Sequence, residues 1–284
     1  MIRLLDRFLL LQPRWLSTIL FIPLLYALGW LAAMLLTVLG LPYNAVSLTG
    51  TVLSFVLFVL AMPRWAAKRW SVTRAWTALG ICNGGLNDRQ SSAVGFLQGL
   101  LIATGLLTII TTLALIGGWG QWLGNLDIRN LLNALLLCFG VGLAEELIFR
   151  GWLWAELNQS IGAARGFIAQ AVVFSLVHTR FNLNLPEMLG LLLGLFLLGL
   201  LLATLRHLHD GSLWGSIGLH GGLIAIWFLL DQNLVDFSRN APWWLLGPGG
   251  NHPNPIGGLT GLILLATLLR LGNSKAREIN EHIR

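Results

Sequence analysis

Residues 15–39 read WLSTILFIPLLYALGWLAAMLLTVL, a run of 25 positions without a charged side chain. A helix needs about 20 apolar residues to cross the ~30 Å hydrocarbon core of a bilayer. This stretch is long enough to cross, and it is too long for the apolar region of a cleavable signal peptide. Because backbone polar groups find no water in lipid, such a segment crosses as a helix. The stretch therefore predicts a helical integral membrane protein.

The composition of the whole chain agrees with a location in the bilayer. Of the 284 residues, 56% are hydrophobic and 11% are charged. A soluble domain carries a charge on about a quarter of its residues, so the composition excludes a soluble enzyme and a disordered chain. The two cysteines are too few for a disulfide framework. The 13 tryptophans suit membrane–water boundaries, where indole rings concentrate.

Apolar stretches recur along the chain and predict eight transmembrane helices in a single integral-membrane domain, residues 1–284. The predicted spans are 15–39, 45–61, 92–117, 131–157, 161–179, 186–205, 212–230 and 255–271. The predicted fold class is all-α, a polytopic membrane helix bundle of about eight helices. The candidate functional residues described below fall within residues 131–230, which we call the predicted functional core.

The positive charges predict the orientation in the membrane, because Lys and Arg concentrate in cytoplasmic segments. With eight spans and a cytoplasmic N-terminus, 14 of the 18 Lys and Arg residues fall on the cytoplasmic side, and only Arg129, Arg180 and Arg239 fall on the other. The pattern predicts a protein of the plasma membrane or another cellular membrane with both termini cytoplasmic. The basic residues lie between apolar spans, which favours lipid headgroups over nucleic acid as the partner of the net charge of +6.

The fourth predicted span contains ionisable residues, which are costly in a bilayer and mark a candidate functional site. Residues 142–151 read GLAEELIFRG and include Glu145, Glu146 and Arg150. Glu146 and Arg150 are one helical turn apart, so they can pair as carboxylate and guanidinium. Glu145 points about 100° away around the helix and is free for another task. A purely structural ion cluster is the alternative interpretation.

Two further spans carry one histidine each, His178 in the sequence FSLVH and His220 in the sequence GLHGG. A carboxylate and two imidazoles suit the activation of water for attack on an amide, in which the carboxylate takes the proton and an imidazole orients the water. Alternatively, Glu145, His178 and His220 could ligate a divalent metal such as zinc, which makes bound water more acidic.

Three motifs, in this order on three helices, resemble those of the CPBP family, the CAAX proteases and bacteriocin-processing proteins related to the type II CAAX prenyl endopeptidase. They are EExxxR at 145–150, FxxxH at 174–178 and a histidine at 220 that opens a Gly-rich stretch. The resemblance implies an intramembrane endopeptidase of about eight helices, with its site in a cavity open to the cytoplasm.

The resemblance also implies a role for each motif residue. Glu145 would be the general base for water and His178 its partner. Glu146 and Arg150 would hold the site together, and His220 would help to stabilise the oxyanion.

One position departs from the family pattern, which usually has Asn or another polar residue four positions after the histidine of the third motif. Ile224 occupies this position, and an aliphatic side chain cannot donate to an oxyanion. The predicted function is hydrolysis of a membrane peptide or protein by a water that Glu and His activate, with or without a metal. Ile224 favours the alternative of a non-catalytic membrane scaffold or immunity-type protein. A proton-coupled transporter is a third alternative, but the chain lacks the internal repeat typical of transporters.

Overall fold

The fold comes from a computed structural model, which describes residues 2–82, 92–250 and 252–282. Helices account for 78% of the residues, so the prediction of an all-α membrane protein is confirmed. The chain divides into two compact units, Met1–Ala78 and Leu79–Arg284. The predicted functional core, residues 131–230, lies within the second unit.

The first unit is built on two long helices. Its elements are α1 (Ile2–Leu9), α2 (Arg14–Thr37), a 3₁₀ turn (Tyr43–Ala45), α3 (Val46–Trp65), a π-helical turn (Ala66–Trp70) and α4 (Ala75–Ala78). Helices α2 and α3 pack together, and the rings of Phe21 and Trp65 meet with 4.3 Å between centroids. The buried guanidinium of Arg69 donates to the Leu9 carbonyl oxygen and to Ser17 Oγ. These hydrogen bonds join the π-helical turn to α1 and α2.

The second unit surrounds one central helix. Its elements are α5 (Ser92–Ile116), β1 (Gly120–Trp122), α6 (Ile128–Glu146), a π-helical turn (Leu147–Leu153), α7 (Trp154–Ile161), α8 (Ala163–Leu176), α9 (Leu185–Leu208), α10 (Trp214–Leu229), a further π-helical turn (Leu230–Leu234), β2 (Val235–Phe237), α11 (Trp243–Leu246), a 3₁₀ turn (Pro255–Gly257) and α12 (Leu259–His282). Helix α10 packs against α5, α6 and α9. The short antiparallel pair of β1 and β2 was not predicted, because three residues are too few to show an alternating pattern.

Glycines allow the close contact between α10 and its neighbours. A Cβ on Gly142 of α6 would lie 2.7 Å from the Cα of Gly221 on α10, which is closer than packing permits. On the other side, Gly99 of α5 lies against the backbone of Leu219. Small residues let helix backbones approach in a membrane. The contact between α6 and α10 is the one that positions the candidate site.

Within the described residues, six helical segments are long and apolar enough to cross a membrane. They are Arg14–Thr37, Tyr43–Trp70, Ser92–Ile116, Ile128–Ile161, Leu185–Leu208 and Trp214–Leu234. All eight predicted spans coincide with helices, but two of these helices are not among the six: the one predicted at 161–179 contains only the 14 residues of α8, and the one predicted at 255–271 coincides with the 3₁₀ turn and the start of α12. Helix α8 begins after Gly162, whose φ of +84° interrupts the helical path, and it ends before His178. The count of eight membrane-crossing helices therefore stays a prediction.

Candidate active site

The candidate site begins where α6 gives way to the π-helical turn Leu147–Leu153. Isolated π turns within α-helices occur frequently at functional sites. Arg150 lies in this turn, and its Nη1 donates to Glu146 Oε1 over 3.0 Å. Both side chains are fully buried, so each charge has its counter-charge inside the bundle. The sequence predicts the Glu146–Arg150 pair, but its pattern of apolar residues does not indicate the π turn.

Glu146 also contacts His220 on α10, and the distance from His220 Nδ1 to Glu146 Oε1 is 2.8 Å. The contact forms because Gly142 and Gly221 allow α6 and α10 to approach closely. An ionised carboxylate only accepts hydrogen bonds, so Nδ1 is the donor. The other ring nitrogen, Nε2, is then left for Glu145.

His178 follows α8 and is oriented by the first residue of its own motif. Its Nδ1 donates to the Phe174 carbonyl oxygen over 2.7 Å. The fully buried Phe174 ring lies over Arg150, with 4.0 Å between its centroid and the guanidinium carbon. A cation over an aromatic face is attracted by the negative face of the ring. The FxxxH spacing thus serves two purposes, since its backbone orients an imidazole and its ring covers a buried charge.

Glu145 brings the two histidines together. Its Oε2 lies 3.4 Å from His178 Nε2 and 3.8 Å from His220 Nε2. The side chains of Glu145 and His178 are 25% and 33% exposed, whereas those of Glu146 and Arg150 are completely buried. The structure therefore gathers all five predicted side chains, and it separates an accessible carboxylate from a sealed one.

The hydrogen bonds of the two imidazoles determine what the centre can hold. Because each Nδ1 donates, a neutral imidazole presents a lone pair at Nε2. The Glu145 carboxylate presents lone pairs to the same place, so three acceptors converge while both imidazoles are neutral, whereas an imidazolium at His220 donates from Nε2. These acceptor atoms need a shared proton or a hydrogen-bond donor between them. A water molecule supplies two O–H donors. The arrangement can hold a water beside a carboxylate base.

A cavity of about 440 Å³ includes this centre. Glu145, His178 and His220 line it together with apolar side chains of α9 and α10. Ile224 also lines the cavity, one helical turn from His220. The aliphatic side chain therefore faces the centre where the family pattern has an amide.

The three convergent residues have the donor atoms of a catalytic zinc site, namely two imidazole nitrogens and a carboxylate oxygen. Their Nδ1 hydrogen bonds also match the outer contacts that orient zinc-ligating histidines. However, no group of three His, Cys, Asp or Glu residues in the described ranges is arranged to hold a metal ion. The predicted divalent metal, zinc included, stays a prediction, and the chemistry here is derived from the side chains alone.

Arg206 also contributes to the site, although its place in the sequence predicts only a charge on the cytoplasmic side. It lies in the last turn of α9, and its Nη1 donates to the carbonyl oxygen of Arg150. The π turn changes the local backbone hydrogen bonding, and Arg206 supplies a donor there. The only signal in the sequence was a basic residue at a helix C-terminus, which the helix dipole alone explains.

Fold and site together define a helical membrane protein that holds an accessible carboxylate–imidazole centre inside its bundle. Residues 127–226 match the family described as type II CAAX prenyl endopeptidase Rce1-like. This segment includes all three motifs, and the match supports their resemblance to the CPBP family of CAAX proteases. The matched family is one of proteases that act in a membrane.

The first unit matches a different family. Residues 3–74 match a domain of unknown function, DUF8676, and this segment falls within Met1–Ala78. No curated protein and no solved structure matches the chain.

Proposed function

We propose that the protein is an intramembrane endopeptidase that hydrolyses a membrane-associated peptide through a water activated by Glu145 and His178. The observation that carries the proposal is the convergence of Glu145 Oε2 with the Nε2 atoms of His178 and His220 in a cavity. The exposed fractions support the division of roles, because a carboxylate must reach water in order to act as its base.

In the proposed reaction, Glu145 takes a proton from water while the water oxygen attacks the peptide carbonyl carbon. His178 accepts the second hydrogen bond of the water at Nε2 and so orients its lone pair. When the tetrahedral intermediate breaks its carbon–nitrogen bond, the proton held by Glu145 passes to the departing amine.

His220 is the proposed oxyanion donor. Its Nδ1 already donates to Glu146, so only the imidazolium form carries a proton on Nε2 for the oxyanion. Glu145 Oε2 lies 3.8 Å from His220 Nε2, and Glu146 Oε1 lies 2.8 Å from His220 Nδ1, so a carboxylate flanks each ring nitrogen. Glu146 and Arg150 are positioning residues, since they are sealed from the cavity and act through His220 and Phe174.

The proposal is tested with purified protein and quenched fluorescent peptides that partition into detergent micelles or liposomes. We expect cleavage of an internal peptide bond, together with an unchanged rate after treatment with a chelator and a metal content well below one ion per chain. Parallel loss of metal and activity would instead establish the metal-assisted reaction. Absence of cleavage across an apolar peptide library would favour the non-catalytic scaffold.

Ile224 provides a second prediction. We expect Ile224→Asn to raise the cleavage rate by at least ~10-fold, because a single oxyanion donor is worth about 10²–10³ in rate. The matched control is Ile224→Leu, which keeps the volume but adds no donor, and it should leave the rate near that of the unmodified protein. A folded Ile224→Asn protein with an unchanged rate would show that another group already serves the oxyanion.

The scaffold is the second candidate function, and the position of Ile224 in the cavity is the observation that favours it. In that case the protein binds a membrane partner through the same cavity without hydrolysing it. If both the unmodified protein and the Ile224→Asn variant stay inactive, this candidate replaces the first.

A further inference from the structure

The ion pair of Glu146 and Arg150 uses only part of the hydrogen-bonding capacity of its guanidinium. Arg150 Nη1 donates to Glu146 Oε1 over 3.0 Å. Arg150 Nε and Nη2 are buried, and neither has a hydrogen-bond partner among the residues that the structure describes. A guanidinium has five N–H donors, and buried polar groups are nearly always hydrogen-bonded. The side of the guanidinium formed by Nε and Nη2, which we call the second edge of Arg150, therefore needs a further acceptor.

Gln170 of α8 has an acceptor atom that is also unpaired. The side chain is fully buried, and its Nε2 donates to the carbonyl oxygens of Phe167 and Gly199 over 3.0 Å and 3.1 Å. Its Oε1 is buried without a hydrogen-bond partner in the described part of the chain. A rotated amide would place its oxygen against the two carbonyl oxygens, so these bonds fix the direction in which Oε1 points.

Gly199 of α9 brings these two groups together. Its carbonyl oxygen accepts from Gln170, and a Cβ on Gly199 would lie 3.4 Å from Arg150 Nη2. The same Cβ would lie 2.9 Å from the Cβ of Ala171, so α8 and α9 are in close contact at this position. An unpaired donor and an unpaired acceptor therefore lie beside the same glycine.

The face of α8 that carries Gln170 leads to the candidate active site. Gln170 and Phe174 are one helical turn apart and share this face, and His178 follows after four more positions. The centroid of the Phe174 ring lies 4.0 Å from the guanidinium carbon of Arg150. His178 Nε2 lies 3.4 Å from Glu145 Oε2. Gln170 is thus one helical turn further from the active site than Phe174, and it is the first of three side chains in this series.

We infer that Gln170 is a positioning residue, which holds the second edge of Arg150 through a buried water molecule. The water accepts from Arg150 Nε and Nη2 and donates to Gln170 Oε1, which is about the number of hydrogen bonds typical of a buried water. A guanidinium held in this way keeps its Nη1 on Glu146 Oε1, the atom that also accepts from His220 Nδ1 over 2.8 Å. Gln170 therefore acts through Arg150 and Glu146 on His220. The catalytic half of this inference rests on the proposed function, whereas the contact with Arg150 does not.

Transfer of the negative charge from position 146 to position 170 tests the contact without requiring activity. Glu146→Gln removes the carboxylate that contacts the guanidinium, so it should lower the thermal unfolding temperature. Addition of Gln170→Glu places a carboxylate beside the second edge of Arg150, and we expect this double variant to unfold at a clearly higher temperature than Glu146→Gln. The matched control adds Gln159→Glu instead, the same change on the exposed surface of α7, and should recover nothing. Equal unfolding temperatures of the two double variants overturn the inference.

A double-mutant cycle covers the case in which Glu146→Gln does not fold. Gln170→Met removes the amide but keeps much of the side-chain volume, and Arg150→Met removes the guanidinium. If Gln170 holds Arg150, the combined variant loses less stability than the sum of the two single losses. Additive losses would mean that Gln170 acts only through its bonds to Phe167 and Gly199, and this result overturns the inference.

The cleavage kinetics of Gln170→Met test the catalytic half of the inference. His220 is displaced in this variant while the lining of the cavity keeps its residues, so we expect kcat to fall by about 10- to 100-fold with little change in KM. The control Gln159→Met should keep both constants. A folded Gln170→Met protein with unchanged kcat overturns the catalytic half. Recovery by Gln170→Glu without cleavage by any protein, the unmodified one included, supports the contact with Arg150 and counts against the proposed function.

Discussion

Replacing Glu145 with Gln is expected to lower the rate of peptide cleavage by about 10²–10⁴-fold, the contribution typical of a general base. The amide has nearly the same shape as the carboxylate but cannot take a proton from water. Because the Glu145 side chain is 25% exposed and its contacts with His178 and His220, at 3.4 and 3.8 Å, are longer than those that Glu146 makes, we expect little change in the thermal unfolding temperature. The measurement pairs initial cleavage rates with thermal unfolding of the same purified sample.

The matched control is Glu187→Gln, which neutralises a carboxylate in the first turn of α9, away from the cavity lining. This variant should keep the cleavage rate of the unmodified protein. If Glu145→Gln also retains its rate while remaining folded, Glu145 is not the base. Equal loss of rate in both variants would point to a general effect of charge on the fold.

The helices and the three charged residues of the candidate site can be predicted from the sequence because both depend on the same physical cost. A charged side chain in an apolar span is expensive, so Glu145, Glu146 and Arg150 stood out against the surrounding residues. The histidines were singled out by their spans and by the motif pattern. The spacing of residues along the chain is enough to predict a helix and the side chains that share its face, because helix periodicity depends only on neighbouring residues.

The contacts that complete the site depend on packing between helices, and for that reason they could not be predicted. The bond from His220 to Glu146 requires the contact of two glycines, on α6 and α10. The position of Phe174 over Arg150 requires the π turn, which shifts the register of the following residues.

The second large effect is expected for Glu146→Gln, which should lower the free energy of unfolding by about 3–5 kcal/mol, the cost of breaking a buried ion pair. Glu146 Oε1 accepts from both Arg150 and His220, and the guanidinium it balances is fully buried. The amide keeps an acceptor oxygen but removes the negative charge that contacts the guanidinium, which leaves Arg150 with the Phe174 and Phe149 rings and the more distant charge of Glu145. Denaturant unfolding in a fixed detergent, followed by tryptophan fluorescence, measures this loss.

The double variant distinguishes an uncompensated charge from a packing defect. Arg150→Met removes the cation but keeps much of the side-chain volume, so Glu146→Gln combined with Arg150→Met should be more stable than Glu146→Gln alone. Recovery of stability in the double variant would locate the cost in the unpaired guanidinium. If the losses simply add, the carboxylate acts mainly through His220. A Glu146→Gln protein that is as stable as the unmodified one, yet inactive, would reverse the assignment and make Glu146 the residue that acts on water.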